Sequence, residues 1–249
     1  MTAFLFAAAV LGGALNSVAG GGSFITLPAL LYSGVPPVVA NATSTLALWP
    51  GSVSSAVAYR RDIRASASTL FLLGAASVAG GLAGGLLLVR TSDTTFMRLL
   101  PCLMLLAAAA FTFGDRLLPK RAGGASDGHR VSAAGVLLQG AIAIYGGYFG
   151  GGMGIMMLAT LSIAGMTDIH EMNGLKSILG AAINGVALVA FIVHGVVRWP
   201  PGLVMMAGGI LGGYAGAALA KSIPRRHVRV IVIVVAWGMT AYFFMKAAV

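Results

Sequence analysis

Eight long apolar blocks are separated by short polar stretches in this chain. They run roughly over 2–33, 38–59, 66–90, 94–113, 131–164, 171–194, 201–220 and 228–247. Blocks of this length and purity predict helices that cross or enter a bilayer. The longest polar stretch, 114–130, falls near the middle and predicts a linker between two halves. Two of the blocks contain a conspicuous interruption. The first reads SVAGGGSFITLP from Ser17 to Pro28, and the second reads YFGGGMG from Tyr148 to Gly154. Each glycine weakens a helix by about 1 kcal/mol relative to alanine, so three in succession predict a break.

The halves read as repeats. Gly20-Gly21-Gly22 aligns with Gly150-Gly151-Gly152, and Asn41-Ala42-Thr43-Ser44 aligns with Asn173-Gly174-Leu175-Lys176. The run from Ala79 to Gly85 (AGGLAGG) aligns with Ala207 to Gly213 (AGGILGG). Arg98 and Arg229 open the last block of each half. Small residues spaced four apart let helix backbones approach closely in lipid, so GGLAGG and GGILGG predict helix packing rather than chemistry. The expected organisation is a first membrane repeat over 1–113, a cytoplasmic linker over 114–130 and a second membrane repeat over 131–249.

Composition supports a membrane setting. The chain has 249 residues, 58% of them hydrophobic and 9% charged, against about 25% charged in a soluble domain. The net charge of +10 resides mostly in short loops, the pattern of a cytoplasmic membrane face rather than of nucleic-acid binding. Its distribution also discriminates between topologies. If the glycine-broken blocks are hairpins that enter and leave on one side, one membrane face carries eleven Lys and Arg residues and the other four. If all eight blocks cross, the split is nine to six. The stronger bias favours hairpins and places both termini outside. Each half then has one hairpin and three crossings, and an odd number of crossings inverts the second half relative to the first. Two kinked spanning helices are the alternative.

Non-helical backbone at membrane depth is tolerated only inside protein or beside a water-filled cavity. Helices restarting near Ser23 and Met153 would aim N-terminal N–H groups at such a cavity, and these ends attract anions. Lys176 sits about five residues into the block 171–194, in NGLKSILGAAIN. A buried lysine at the bilayer centre costs about 2.5–3.5 kcal/mol on insertion scales, which marks a functional candidate; snorkelling to the interface is the bland alternative. Asn41, Thr43, Ser44, Asn173 and Asn184 offer uncharged hydrogen-bonding groups in the same blocks, for a substrate or for interhelical bonds. The backbone of Gly21, Gly22, Gly151 and Gly152 completes the candidate set.

Several chemistries have no support. The six acidic residues lie at or between block ends, the histidines lack metal-ligand spacing, and Cys102 is the single cysteine. No nucleophile motif or phosphate-binding loop occurs, so neither an enzyme, a metal site, a cofactor nor an ATP-driven pump is expected.

The stretch from Ala19 to Tyr59, AGGGSFITLPALLYSGVPPVVANATSTLALWPGSVSSAVAY, resembles the N-terminal signature of the sulfite exporter TauE/SafE family: a glycine run, a following proline, the turn Gly34-Val35-Pro36 and the stretch Ala42-Thr43-Ser44. The second half is similar to that family's second copy through GGGMG, Asn173 to Lys176 and Asn184. The resemblance covers nearly the whole chain. It implies a transporter of small sulfur-containing anions such as sulfite, sulfoacetate or other organosulfonates, resident in a bacterial inner membrane.

The sequence thus predicts an all-α polytopic membrane protein of two homologous, inverted halves, each with a glycine-broken re-entrant hairpin and three transmembrane helices. It predicts export by alternating access around a midplane anion site, because the cell interior is negative; uptake would need a coupled proton or sodium ion. A passive anion channel and a non-transport membrane scaffold are the rival readings.

Overall fold

The computed structural model of the chain describes residues 1–61, 63–117, 132–163, 166, 168–219 and 225–247. The described residues form ten helices: α1 (Thr2–Ala19), α2 (Ser23–Tyr32), α3 (Pro37–Tyr59), α4 (Ala67–Arg90), α5 (Asp93–Leu117), α6 (Ala133–Tyr148), α7 (Met153–Ile163), α8 (Ile169–Val193), α9 (Trp199–Leu219) and α10 (Arg225–Ala247). No strand occurs among the described residues. Each of the two glycine-interrupted blocks yields two helices, and each of the other six yields one. The expected linker at 114–130 overlaps the end of α5, and its remainder lies outside the described residues.

Local chemistry sets the boundaries. Gly20 closes α1 in the left-handed region, φ 79°, with its N–H on the Asn16 carbonyl. Glycine reaches that conformation without the Cβ penalty that other residues meet. Pro37 occupies the first turn of α3, where its missing N–H leaves no bond unmade. The hydroxyls of Ser66, Ser92 and Ser132 accept from Thr69, Thr95 and Gly135 N–H at the starts of α4, α5 and α6. Asp93 reaches across from α5 to accept the Val38 N–H at 2.8 Å.

The two ends of the first broken block meet. Ser33 donates to the Met1 sulfur at 3.2 Å, and the Phe4 and Tyr32 rings lie 5.7 Å apart. The start of α1 and the end of α2 therefore lie together, with the glycine break one short helix away.

Helix pairings recur when α1–α5 are exchanged for α6–α10. Helix α1 lies along α9 as α6 lies along α4; α3 meets α9 as α8 meets α4; α5 reaches α7 as α10 reaches α2. Helices α3 with α8 and α5 with α10 pair across the exchange. The glycine stripes make these contacts. A Cβ at Gly80 or Gly84 would strike α6 at Gly140 and Ile144, whereas one at Gly81 or Gly85 would meet α8 at Ile183 and Ala187. In the second half, Gly208 and Gly212 face α1 at Phe6 and Val10, and Gly209 faces α3 at Ala47. Between α4 and α6, buried Gln139 donates to the Ser77 hydroxyl at 2.8 Å.

The outside is apolar. Phe71, Leu137, Val193, Leu211, Tyr214 and Val234 are among many exposed large side chains. In water such a surface would drive aggregation; in lipid it needs no cover. Helices α4, α5 and α8 are long and apolar enough to cross a bilayer, over Ala67–Arg90, Asp93–Phe113 and Glu171–Val193. The broken blocks consist of shorter apolar helices, including Ser23–Tyr32 and Ala133–Tyr148.

Candidate substrate-binding site

Helices α2 and α7 begin immediately after the glycine runs, at Ser23 and Met153. Their first N–H groups precede the helical ladder and have no partner within it. In α2 the ladder opens on Gly21 and Gly22, whose carbonyls accept from Phe24, Ile25 and Thr26. In α7 it opens on Gly152, whose carbonyl accepts from Ile155 and Met156.

The two breaks approach each other at Gly154. A Cβ on Gly20 would lie 3.9 Å from Gly154 Cα and 4.0 Å from its nitrogen. Gly154 also carries Lys176: a Cβ there would lie 3.3 Å from Lys176 Cδ, 3.7 Å from Cγ and 4.0 Å from Cε. Lys176 is the eighth residue of α8, two turns in, and partly buried. Its ammonium donates to Asn173 Oδ1 at 3.0 Å. The lysine thus lies across the first turn of α7. A cation beside the positive end of a helix dipole is a like-charge arrangement, and an anion between them relieves it.

Other candidates occupy different parts of the break. Gly21 faces Phe111 and Val232, so α5 and α10 both reach it. Gly22 is pressed against the Gly12 carbonyl and Asn16 of α1. Gly151 faces the Phe149 ring, and its carbonyl accepts from the Tyr145 hydroxyl at 2.7 Å. That hydroxyl also lies 3.1 Å from the Leu103 carbonyl of α5; one proton serves both. Gly152 has φ 77° and abuts Ala107 and Phe111. Phe111, buried on α5, therefore wedges between the two glycine runs.

The polar candidates divide. Thr43 is fully buried; it donates to the Val39 carbonyl and accepts from Arg198 N–H at 3.0 Å, tying α3 to the start of α9. Ser44 and Thr26 exchange a hydrogen bond at 2.6 Å, joining α3 to α2. Both are interhelical ties. Asn41 is buried, 1% exposed, and its Nδ2 donates to the Tyr148 carbonyl at 2.9 Å, at the end of α6. Its Oδ1 is buried without a hydrogen-bond partner among the described residues, a condition that costs about 1–3 kcal/mol. Asn184 Oδ1 lies 3.8 Å from where a Gly150 Cβ would stand. Eight residues on α8 separate it from Lys176, about 12 Å of rise. Asn184 therefore flanks the end of α6 and Lys176 the start of α7.

Sequence reasoning did not place Gly20, Gly154, Tyr145, Phe111 or Thr26 among the substrate-binding candidates. Gly154 closes the quoted GGGMG motif, which was the available signal. Tyr145 and Phe111 stand in ordinary apolar helices and offered none.

The fold and this site define a polytopic helical membrane protein with two broken helices meeting inside it. A family model described as "Sulfite exporter TauE/SafE" matches residues 5–243, and the chain belongs to that family. It is 29% identical over 244 residues to a "Probable membrane transporter protein" of Haemophilus influenzae, covering 97% of this chain and 93% of that one. It is 30% identical over 241 residues to "Probable membrane transporter protein YfcA" of Escherichia coli K12, covering 95% and 87%. It is 31% identical over 238 residues to "Probable membrane transporter protein ORF9" of a Sinorhizobium species, covering 94% and 89%. No solved structure matches the chain. Family and relatives are membrane transporters, not enzymes.

Proposed function

We propose that this protein exports small sulfur-containing anions, of the sulfite or organosulfonate class, by alternating access around the two glycine breaks. The observation that carries this reading is the placement of Lys176 over Gly154 at the first turn of α7, with Gly20 approaching from the other repeat. An anion there meets an ammonium, helix N–H groups and a positive dipole end together. The family's description supplies the sulfur oxyanion. Lys176 provides charge; the backbone of Gly21, Gly22, Gly151 and Gly152 shapes the cavity and contributes N–H donors; Asn173 holds the lysine. Asn41, Thr43, Ser44 and Asn184 shape the surroundings through the bonds described above.

The exchanged helix pairings support two equivalent repeats, and the meeting of Met1 with Ser33 supports a re-entrant first hairpin, which leaves an odd number of crossings that would invert the second repeat. In this architecture one repeat rocks against the other around a fixed midplane site. Outward movement of one negative charge gains about 2.3 kcal/mol per 100 mV of interior-negative potential, which favours export from a bacterial inner membrane. Both termini then lie outside.

The test is uptake of labelled sulfite by proteoliposomes containing the wild type or Lys176→Met. Saturable wild-type flux that collapses in a folded variant supports the carrier. Linear, non-saturating flux with single-channel currents identifies a passive channel instead, and equal flux in both proteins removes Lys176 from the mechanism.

A further inference from the structure

Asn41 and Asn173 occupy matching positions in the two repeats, yet their side-chain oxygens differ in one respect. In the second repeat Lys176, three residues after Asn173, places its ammonium on Asn173 Oδ1 at 3.0 Å. In the first repeat the residue three after Asn41 is Ser44, and its hydroxyl is engaged with Thr26. Asn41 Oδ1 is left buried and unpartnered. The orientation of this carboxamide follows from chemistry, since only the amide nitrogen can donate to the Tyr148 carbonyl.

The surroundings select the sign of a ligand. Asn41 sits at the C-terminal end of α6, where the last carbonyls lack helical partners and the dipole is negative. The Phe149 and Gly150 N–H groups both turn back to the Tyr145 carbonyl, which leaves the Gly146 carbonyl without its usual ladder donor. That oxygen would lie 3.3 Å from a Gly150 Cβ, and Asn184 Oδ1 3.8 Å from the same point. Asn41 of α3, the Gly146 carbonyl of α6 and Asn184 of α8 thus all stand by the last turn of α6. An anion is repelled there. A hard monovalent cation is suited, because its ligands are carbonyl-type oxygens and a divalent ion favours carboxylates.

We propose that a sodium ion binds at the C-terminal end of α6, on Asn41 Oδ1 and Asn184 Oδ1, as the first repeat's counterpart of the Lys176 ammonium. The ion goes beyond the anion-site reading and does not depend on it. A cation at the end of α6 and an anion at the start of α7 would each complement the helix end they face, on opposite sides of one glycine break.

The experiment is thermal unfolding of the purified, substrate-free protein in sodium chloride, potassium chloride or choline chloride at equal ionic strength, for wild type, Asn41→Ala and Asn184→Ala. Expected is a sodium-specific rise in the wild-type midpoint, lost in Asn41→Ala and needing at least ten-fold more sodium in Asn184→Ala. A wild type indifferent to the choice of cation overturns the proposal, as does an undiminished sodium response in Asn184→Ala or in a folded Asn41→Ala. Asn184→Ala removes no hydrogen bond described here, so it decides the matter if Asn41→Ala fails to fold. No anionic substrate is present, so failure here leaves the Lys176 reading intact, and the flux assay fails or succeeds separately.

Discussion

Lys176 donates its ammonium to Oδ1 of Asn173, one helical turn toward the start of α8, at 3.0 Å. The stem lies over Gly154 at the opening turn of α7. A snorkelling side chain needs only a route to water, whereas this one covers a glycine whose missing Cβ makes the room.

Removing the charge should therefore affect substrate binding. A charge-assisted hydrogen bond contributes about 1.5–3 kcal/mol, equivalent to about 10- to 100-fold in affinity. Lys176→Met should lower kcat/KM for sulfite flux by that factor, with the folded yield retained. Lys176→Arg keeps the charge but replaces a compact ammonium with a planar fork, and should retain an intermediate rate. Initial rates in proteoliposomes across a substrate series provide the check.

Gly154 makes an opposite prediction for stability and for transport. It stands in the first turn of α7 without a positive φ, so alanine is sterically permitted by the backbone and improves helix propensity by up to about 1 kcal/mol. Its Cβ would nevertheless press on Lys176 Cδ at 3.3 Å. Gly154→Ala should melt at or above the wild-type temperature while raising KM several-fold, and Gly154→Val should raise it further. A fall in stability with unchanged KM would make Gly154 a packing glycine alone.

Much of this arrangement was legible in the sequence. Block lengths and purity marked the helices, and the two glycine runs marked where Gly20, Gly150 and Gly152 turn with positive φ. The aligned AGGLAGG and AGGILGG runs marked the helix seams. Which glycine turns and which one packs was not legible, because both uses exploit the same missing Cβ. Gly22 is pressed against α1 whereas Gly20 turns, two positions apart in one run. The partners of Asn41 and Trp49 were hidden for a different reason: Asn41 bonds Tyr148 and Trp49 Nε1 bonds the Ala181 carbonyl, 107 and 132 positions away. Local periodicity carries no information about such pairs.

The seam glycines should respond to substitution in matched pairs. A Cβ at Gly84 would fall onto the Ile144 carbonyl oxygen of α6, and one at Gly212 onto the Val10 carbonyl oxygen of α1. Gly140 and Gly74 face open space. Overpacking of this kind costs about 1–3 kcal/mol. Gly84→Ala and Gly212→Ala should each lower the melting temperature in detergent by similar amounts, whereas Gly140→Ala and Gly74→Ala should leave it unchanged or raise it. Thermal unfolding of the four variants side by side measures this, and asymmetry between Gly84 and Gly212 would count against equivalent repeats.

Topology offers the last prediction. If the second broken block is a hairpin, four blocks cross between Ser33 and Arg198 and the two stand on the same membrane face; if it crosses, five do and the two lie on opposite faces. The Arg198 N–H bonds to Thr43, near the start of α3, and Ser33 lies in the short turn that leads into that helix. Both residues thus lie toward one end of α3. Cysteines at Ser33 and Arg198 can be placed in a Cys102→Ala background, since Cys102 is itself exposed. An impermeant maleimide added to intact cells should label both or neither; external placement of the termini further requires that it label both. Labelling of one position alone would overturn the second hairpin, because five crossings would then separate Ser33 from Arg198.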